Sequence, residues 1–247
     1  MAEFAPVAPP SILRTLKKEG LLGNYHLLLA HDVAEHPQEY ADIFNDTGAY
    51  IIMDNSVIEL GEPIEVDTMR LAVHAVPSNL VVLPDYLLDA KATIGVSTEA
   101  ARTWMEADLA PFMAVPQGET KEEILVCADV LMKLPGVLAW GVARNFTDDE
   151  VLRSRREITK ILHSMDSSFE VHLLGFSDDL FDDIVLTSRI PYVRGIDSAV
   201  PIRMGLQGMS LSLEQTEHPP RGDYWDSDGE ITPEVRANLE IIREWLK

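Results

Sequence analysis

One cysteine, Cys127, is present among 247 residues. That excludes an internal disulfide and a zinc site built on cysteines. Basic residues are few: 20 Lys and Arg stand against 41 Asp and Glu, for a formal net charge of −21. A surface of that sign repels a phosphate backbone except at a local docking site. A nucleic-acid substrate must then be held by a few local Lys or Arg, by a partner protein, or as a small piece. No apolar stretch approaches the ~20 residues that span a bilayer. Met1–Pro10 is rich in Pro and Ala and has neither the basic start nor the apolar run of a secretory signal. A cytoplasmic protein with no membrane partner is expected. Dinucleotide-binding G-x-G-x-x-G and phosphate-loop G-x-x-x-x-G-K-[ST] patterns are missing, as are H-E-x-x-H, H-x-x-x-H and carboxylate clusters at metal spacing. Neither a metal nor a cofactor is expected. There is no G-x-S-x-G elbow, and Cys127 falls within a predicted helix, which argues against a Ser or Cys nucleophile.

What the chain does have is 46% hydrophobic residues, enough for a sizeable core. They gather into seven short runs: Tyr25–Ala30, Tyr50–Asp54, Leu80–Asp85, Pro111–Gln117, Leu138–Arg144, Glu170–Gly175 and Tyr192–Asp197. Successive runs start 22 to 32 residues apart, the length of one strand–helix unit. Near-continuous apolarity suits parallel strands covered on both faces. Thr120–Glu123 and Thr147–Glu150 fit the capping-box pattern between runs. Thr232-Pro233 opens a terminal helix over residues 232–246. An eighth strand is placed near Met209–Leu213. Residues 1–20 read as an N-terminal extension and 217–230 as a long loop. No repeat or linker divides the chain, so a single domain over 1–247 is expected, an α/β protein of the (β/α)8 TIM-barrel type.

Barrel active sites form where strands end at their C-termini. Those ends carry His31-Asp32, Asp54-Asn55-Ser56, Asp85, Gln117-Gly118, Arg144-Asn145, Gly175 with Ser177, and Asp197-Ser198. Any one such aspartate can be the N-cap of the next helix. As a set they suit recognition of a polar heterocycle, with carboxylates around one reacting centre. Asp178, Asp179, Asp182 and Asp183 read as surface or cap residues. Histidines are weaker candidates; His172 lies inside a strand, facing either the barrel or the helix layer. A carboxylate nucleophile, of the kind that forms glycosyl-enzyme esters, remains open.

In order, Asp54-Asn55-Ser56, Leu83-Pro84-Asp85, Val115-Pro116-Gln117-Gly118, Trp140-Gly141-Val142, His172-Leu173-Leu174-Gly175 and Gly195-Ile196-Asp197-Ser198-Ala199-Val200-Pro201-Ile202-Arg203 resemble the tRNA-guanine transglycosylases (queuine tRNA-ribosyltransferases) over about residues 50–205. These barrel enzymes exchange guanine for a 7-deazaguanine through a glycosyl-aspartate. The resemblance implies Asp197 as nucleophile and Asp54 as general acid/base. It implies that Asp85 and Gln117 read the base edge and that the backbone at Gly141 and Val142 bonds its carbonyl. His172 to Gly175 would line the pocket, with Asn55, Ser56, Gly118 and Arg203 as further substrate contacts. The family's D-S-G-G-F-Q loop is here Asp54-Asn55-Ser56-Val57-Ile58-Glu59, and its zinc site and most of its tRNA-docking insertion are missing. In that respect the chain is similar to short, zinc-free members that place 7-deazaguanines in DNA. The implied partners are guanine or a 7-deazaguanine base and DNA, or less readily RNA, with a partner protein or homodimer to help. Arg144, Arg194, Arg203 and Arg221 are candidate phosphate contacts. Two other readings stay open: glycosyl hydrolysis or transfer on a free nucleoside or nucleotide, and a non-catalytic deazaguanine-binding subunit.

Overall fold

Each of the seven apolar runs carries a β-strand in the computed structural model, which describes residues 1–109, 111–144, 155–177, 179–214 and 224–247. The strands are β1 (Glu3–Pro6), β2 (Tyr25–Leu29), β3 (Tyr50–Asp54), β4 (Leu80–Val82), β5 (Phe112–Ala114), β6 (Val137–Val142), β7 (Glu170–Leu173) and β8 (Val193–Ser198). All seven ladders are parallel, in the order β1-β8-β7-β6-β5-β4-β3-β2. β1 also lies beside β2, so the sheet is a nearly closed (β/α)8 TIM barrel.

The eighth strand is not where the alternation of Met209–Leu213 places it. Residues 1–20 are no extension: Glu3–Pro6 completes the barrel, pairing Glu3 with Gly195 and Ala5 with Asp197. Pro6 is tolerated because β1 has a ladder on one side only. Alternation of apolar residues with serine suits a half-exposed strand, and a barrel strand is covered on both faces. Residues 209–213 instead pack on the terminal helix, where the Leu211 N–H donates to Asn238 Oδ1 at 2.8 Å. That helix runs Pro233–Trp245, capped by Thr232. The capping box of Thr120 and Glu123 forms on the helix Lys121–Leu131. The one expected at Thr147–Glu150 lies outside the described residues, as do residues 217–223 of the expected loop; Tyr224–Asp226 form a 3-10 turn.

Strand alternation separates two cores. The larger lies between sheet and helices. The smaller fills the barrel with Ala5, Tyr25, Leu27, Leu29, Ile52, Leu80, Val82, Met113, Val115, Ala139 and Ala143. Gly195 is required there, because any side chain on β8 at that point would collide with the Tyr25 ring and the Glu3 carbonyl. Among the described residues, no helix is long and apolar enough to cross a membrane.

Candidate active site

Parallel closure brings every strand's C-terminal end to one rim, and a cavity of about 180 Å³ opens there. One water takes roughly 10–15 Å³ by the same measure, so the space suits a two-ring heterocycle. Its apolar wall comes from barrel-core residues Leu27, Leu29, Val82, Val115 and Ala143. The strand-end residues Asp54, Asn55, Asp85, Gln117, Gly175 and Asp197 line it, and so does Arg203 from the helix Val200–Leu206. Arg144, Tyr224 and Trp225 line it as well.

Asp85 is gripped by two amides. Asn55 Nδ2 donates to its Oδ1 at 2.9 Å, and Gln117 Nε2 donates to its Oδ2 at 2.6 Å. Both amides have their orientation fixed elsewhere. Asn55 Oδ1 accepts the Val57 N–H and Gln117 Oε1 accepts the Leu88 N–H. Leu88 holds the left-handed φ of 61°, a strain that persists only where surroundings enforce it. Burial pushes the Asp85 carboxyl up to about 6, against the lowering effect of the two amides. With two amide donors already in place, its free lone pairs suit a ligand that presents further N–H donors. Protonation removes that acceptor, so affinity for such a ligand should hold above pH 6 and fall below it. The fall should approach tenfold per pH unit, measurable by calorimetric titration with guanine from pH 4.5 to 8. Stability runs the opposite way with pH: a carboxyl raised on folding favours the fold most below about 4 and less as pH climbs through 6.

Asp54 ends β3 and is held well above the usual carboxylate range, first by burial and then by the charges of Glu59, Asp197 and Asp85; the Ser56 N–H, donated at 2.8 Å to Oδ2, opposes this. Ser56 takes φ 59° to aim that N–H. Asp54 therefore keeps its proton to higher pH than an ordinary carboxyl does, the disposition of a general acid.

Asp197, one residue before the end of β8, has a different setting. Its Oδ1 accepts His172 Nε2 at 2.9 Å and the Gly175 N–H at 3.0 Å, and Oδ2 has no hydrogen-bond partner among the described residues. His172 Nδ1 meets the Tyr25 hydroxyl at 2.7 Å. Behind Gly175 lies Arg155, whose buried guanidinium donates to the carbonyls of Val142, Leu174 and Gly175 and to Asp183 Oδ2 at 3.0 Å. Asp183 also accepts the Ser177 N–H at 2.7 Å. It is fully buried, which overturns its reading as a surface or cap residue.

Five predicted contacts lie outside the cavity lining. Ser56 and His172 support its aspartates from behind. A Cβ on Gly118 would strike Glu123 and Ile124, and one on Gly141 would strike Leu174 and Val115, so both are glycines for packing. The Val142 carbonyl is taken by Arg155 and the Leu174 N–H. Arg194 stands at the start of β8, 3.7 Å over the Tyr50 ring and paired with Glu170, at the opposite end of the barrel from the cavity. It is no phosphate contact for this site. His31 and Asp32 open the helix Ala30–Glu35 and also lie off the lining, Asp32 accepting the Tyr40 hydroxyl. Asn145, Asp178 and Arg221 fall outside the described residues. Tyr25, Arg155, Asp183, Tyr224 and Trp225 are the site residues that sequence reasoning did not select. Among the described residues no group of three or more His, Cys, Asp or Glu is placed to hold a metal ion. No family model matches the chain, and no curated protein matches it.

Proposed function

We propose that the chain is a base-exchanging glycosyltransferase, of the tRNA-guanine transglycosylase kind, that replaces guanine by a 7-deazaguanine in DNA. One observation carries the reading: two aspartates of opposite disposition line one base-sized cavity. Asp54 is poised to carry a proton, and Asp197 is anchored through one oxygen with the other unpaired among the described residues. Asp197 Oδ2 attacks C1′ of the sugar, the C1′–N bond breaks, and the departing guanine takes its electron pair and the Asp54 proton. The incoming base gives a proton to Asp54 and attacks C1′, which releases Asp197. Atoms and charge balance with no redox partner. Asp85 accepts the N–H donors that guanine and 7-deazaguanines share along one edge, while the amides of Asn55 and Gln117 hold it in place.

DNA is favoured over tRNA by the resemblance to short, zinc-free members and by the missing docking insertion. The target base must be extruded from its stack to reach this depth. Arg144 and Arg203 at the rim are the local cations for its phosphates, and a basic partner subunit would offset the net charge of −21. The test is transfer of radiolabelled guanine, or 7-cyano-7-deazaguanine, into DNA, RNA and mononucleosides in parallel. Label in DNA is expected. Label in mononucleosides alone would move the reading to glycosyl transfer on free nucleosides. No label anywhere, with guanine bound, would leave only a base-binding subunit.

A further inference from the structure

Tyr25, His172 and Asp197 run in line from the barrel interior to the cavity. Tyr25 begins β2 and is 1% exposed; its ring stacks on Tyr50 at 5.6 Å and occupies the space that Gly195 leaves open. His172, also 1% exposed, has one ring nitrogen on Tyr25 and the other on Asp197. These contacts decide the tautomer. A buried phenol keeps its proton, and burial does hold Tyr25 well above its ordinary range. In a neutral ring the Asp197 carboxylate, which can only accept, places the proton on Nε2, and the bare Nδ1 then accepts from the Tyr25 O–H.

We propose that Tyr25 and His172 are positioning residues that lock an Nε2–H donor onto Asp197 Oδ1 and so leave Oδ2 as the only attacking oxygen. The proposal rests on Asp197 being the nucleophile. The Gly175 N–H is the second donor, aimed by a left-handed φ of 68° that favours glycine. Two fixed N–H donors on one oxygen act as an oxyanion hole does. When Oδ2 bonds to C1′, Oδ1 becomes the ester carbonyl and keeps both donors. When the incoming base displaces Asp197, the C1′–Oδ2 bond breaks and its electron pair returns to the carboxylate. Charge then grows on Oδ1, where the donors already stand. The pair acts on a step and not on base binding, so its loss falls on kcat and leaves KM for the base unchanged.

A merely structural plug would behave otherwise. His172→Leu should lower kcat for exchange by about 10²-fold, the loss typical of one oxyanion donor, at unchanged KM. His172→Gln, whose side-chain amide can donate to the same oxygen, should recover most of that. Tyr25→Phe keeps the ring and frees the tautomer, and should cost about tenfold. Nitrogen-15 NMR of histidine-labelled protein should show a protonated Nε2 and bare Nδ1 at position 172, changing in Tyr25→Phe. Wild-type kcat in His172→Leu, a loss confined to KM, or a protonated Nδ1 in the wild type would each overturn the proposal. A wild type that binds guanine but never exchanges it would remove Asp197 as nucleophile, and the role with it. The NMR tautomer separately decides whether the lock exists.

Discussion

Asn at position 197 is expected to end base exchange while the barrel stays folded. The substitution is nearly isosteric. With its amide oxygen in the place of Oδ1, Asp197→Asn still accepts from His172 and from the Gly175 N–H, so no buried donor is orphaned. Its nitrogen then stands where Oδ2 stood, and an amide nitrogen is no nucleophile. Removing a covalent nucleophile from a preorganised site costs roughly 10⁴–10⁶ in kcat. In the proposed function guanine is held by Asp85 and the apolar wall, neither of which changes, so its affinity should stay within a few-fold of wild type. Three measurements decide the matter together: label transfer into DNA, calorimetric binding of guanine, and the covalent protein–DNA adduct caught by denaturing a reaction in progress. The adduct should vanish in the variant and be present in the wild type. Residual exchange within tenfold of wild type would mean that Asp197 does not attack, and Asp54 would be the carboxylate to examine next.

The strands that the sequence makes legible are those whose apolarity is continuous. Tyr50–Asp54 is a strand residue for residue because both its faces are covered, by barrel core on one side and helices on the other. β1 was not legible for the opposite reason. Four residues beside several prolines carry little periodicity, and only the register with β8 makes them a strand. The rim aspartates were legible through topology alone, since parallel closure must bring strand ends together.

Support from behind the rim was harder to read, although part of its signal is present. His172 shares the inward parity of β7 with Leu174, which lines the cavity, while Val171 and Leu173 belong to the outer core. Strand alternation thus settles which way His172 faces, once the inward face is known. On the helix Arg155–Met165 the buried positions are Arg155, Ile158, Thr159 and Leu162, a three-to-four spacing with an arginine at its head. A cation on the apolar stripe of a helix needs a buried partner. Asp183 could not be identified as that partner from sequence, because it lies among other acids and the pairing spans 28 residues. Residues 224 and 225 reach the rim from a segment beyond the last strand, and nothing in their local pattern points there.

Arg155 yields the largest expected change in stability. Its guanidinium donates to three backbone carbonyls and to Asp183, all in the space between β6, β7 and the turn of π-helix Phe181–Thr187. Arg155→Met fills similar volume and supplies none of those donors. Asp183 would then keep only the Ser177 N–H, with its Oδ1 already lacking a partner. Breaking one side of a buried pair typically costs 3–5 kcal/mol, a large part of the 5–15 kcal/mol that stabilises a domain. At ~2–4 °C per kcal/mol for a chain of this size, Tm should fall by roughly 6–20 °C. Replacing both partners, as Arg155→Met with Asp183→Leu, removes the orphaned charge and should regain part of the loss, which separates charge burial from the lost carbonyl contacts. Lysine at 155 should recover less than the charge alone suggests, since one ammonium cannot reproduce the planar fork that reaches Val142 and Gly175 together. Activity should fall further than the unfolded fraction accounts for. The same guanidinium fixes the carbonyl of Gly175, and the N–H of that residue is one of the two donors on Asp197. A variant that loses stability but retains full exchange at low temperature would show that the Gly175 turn holds its shape without Arg155, and the positioning of Asp197 would then rest on His172 and the left-handed glycine alone.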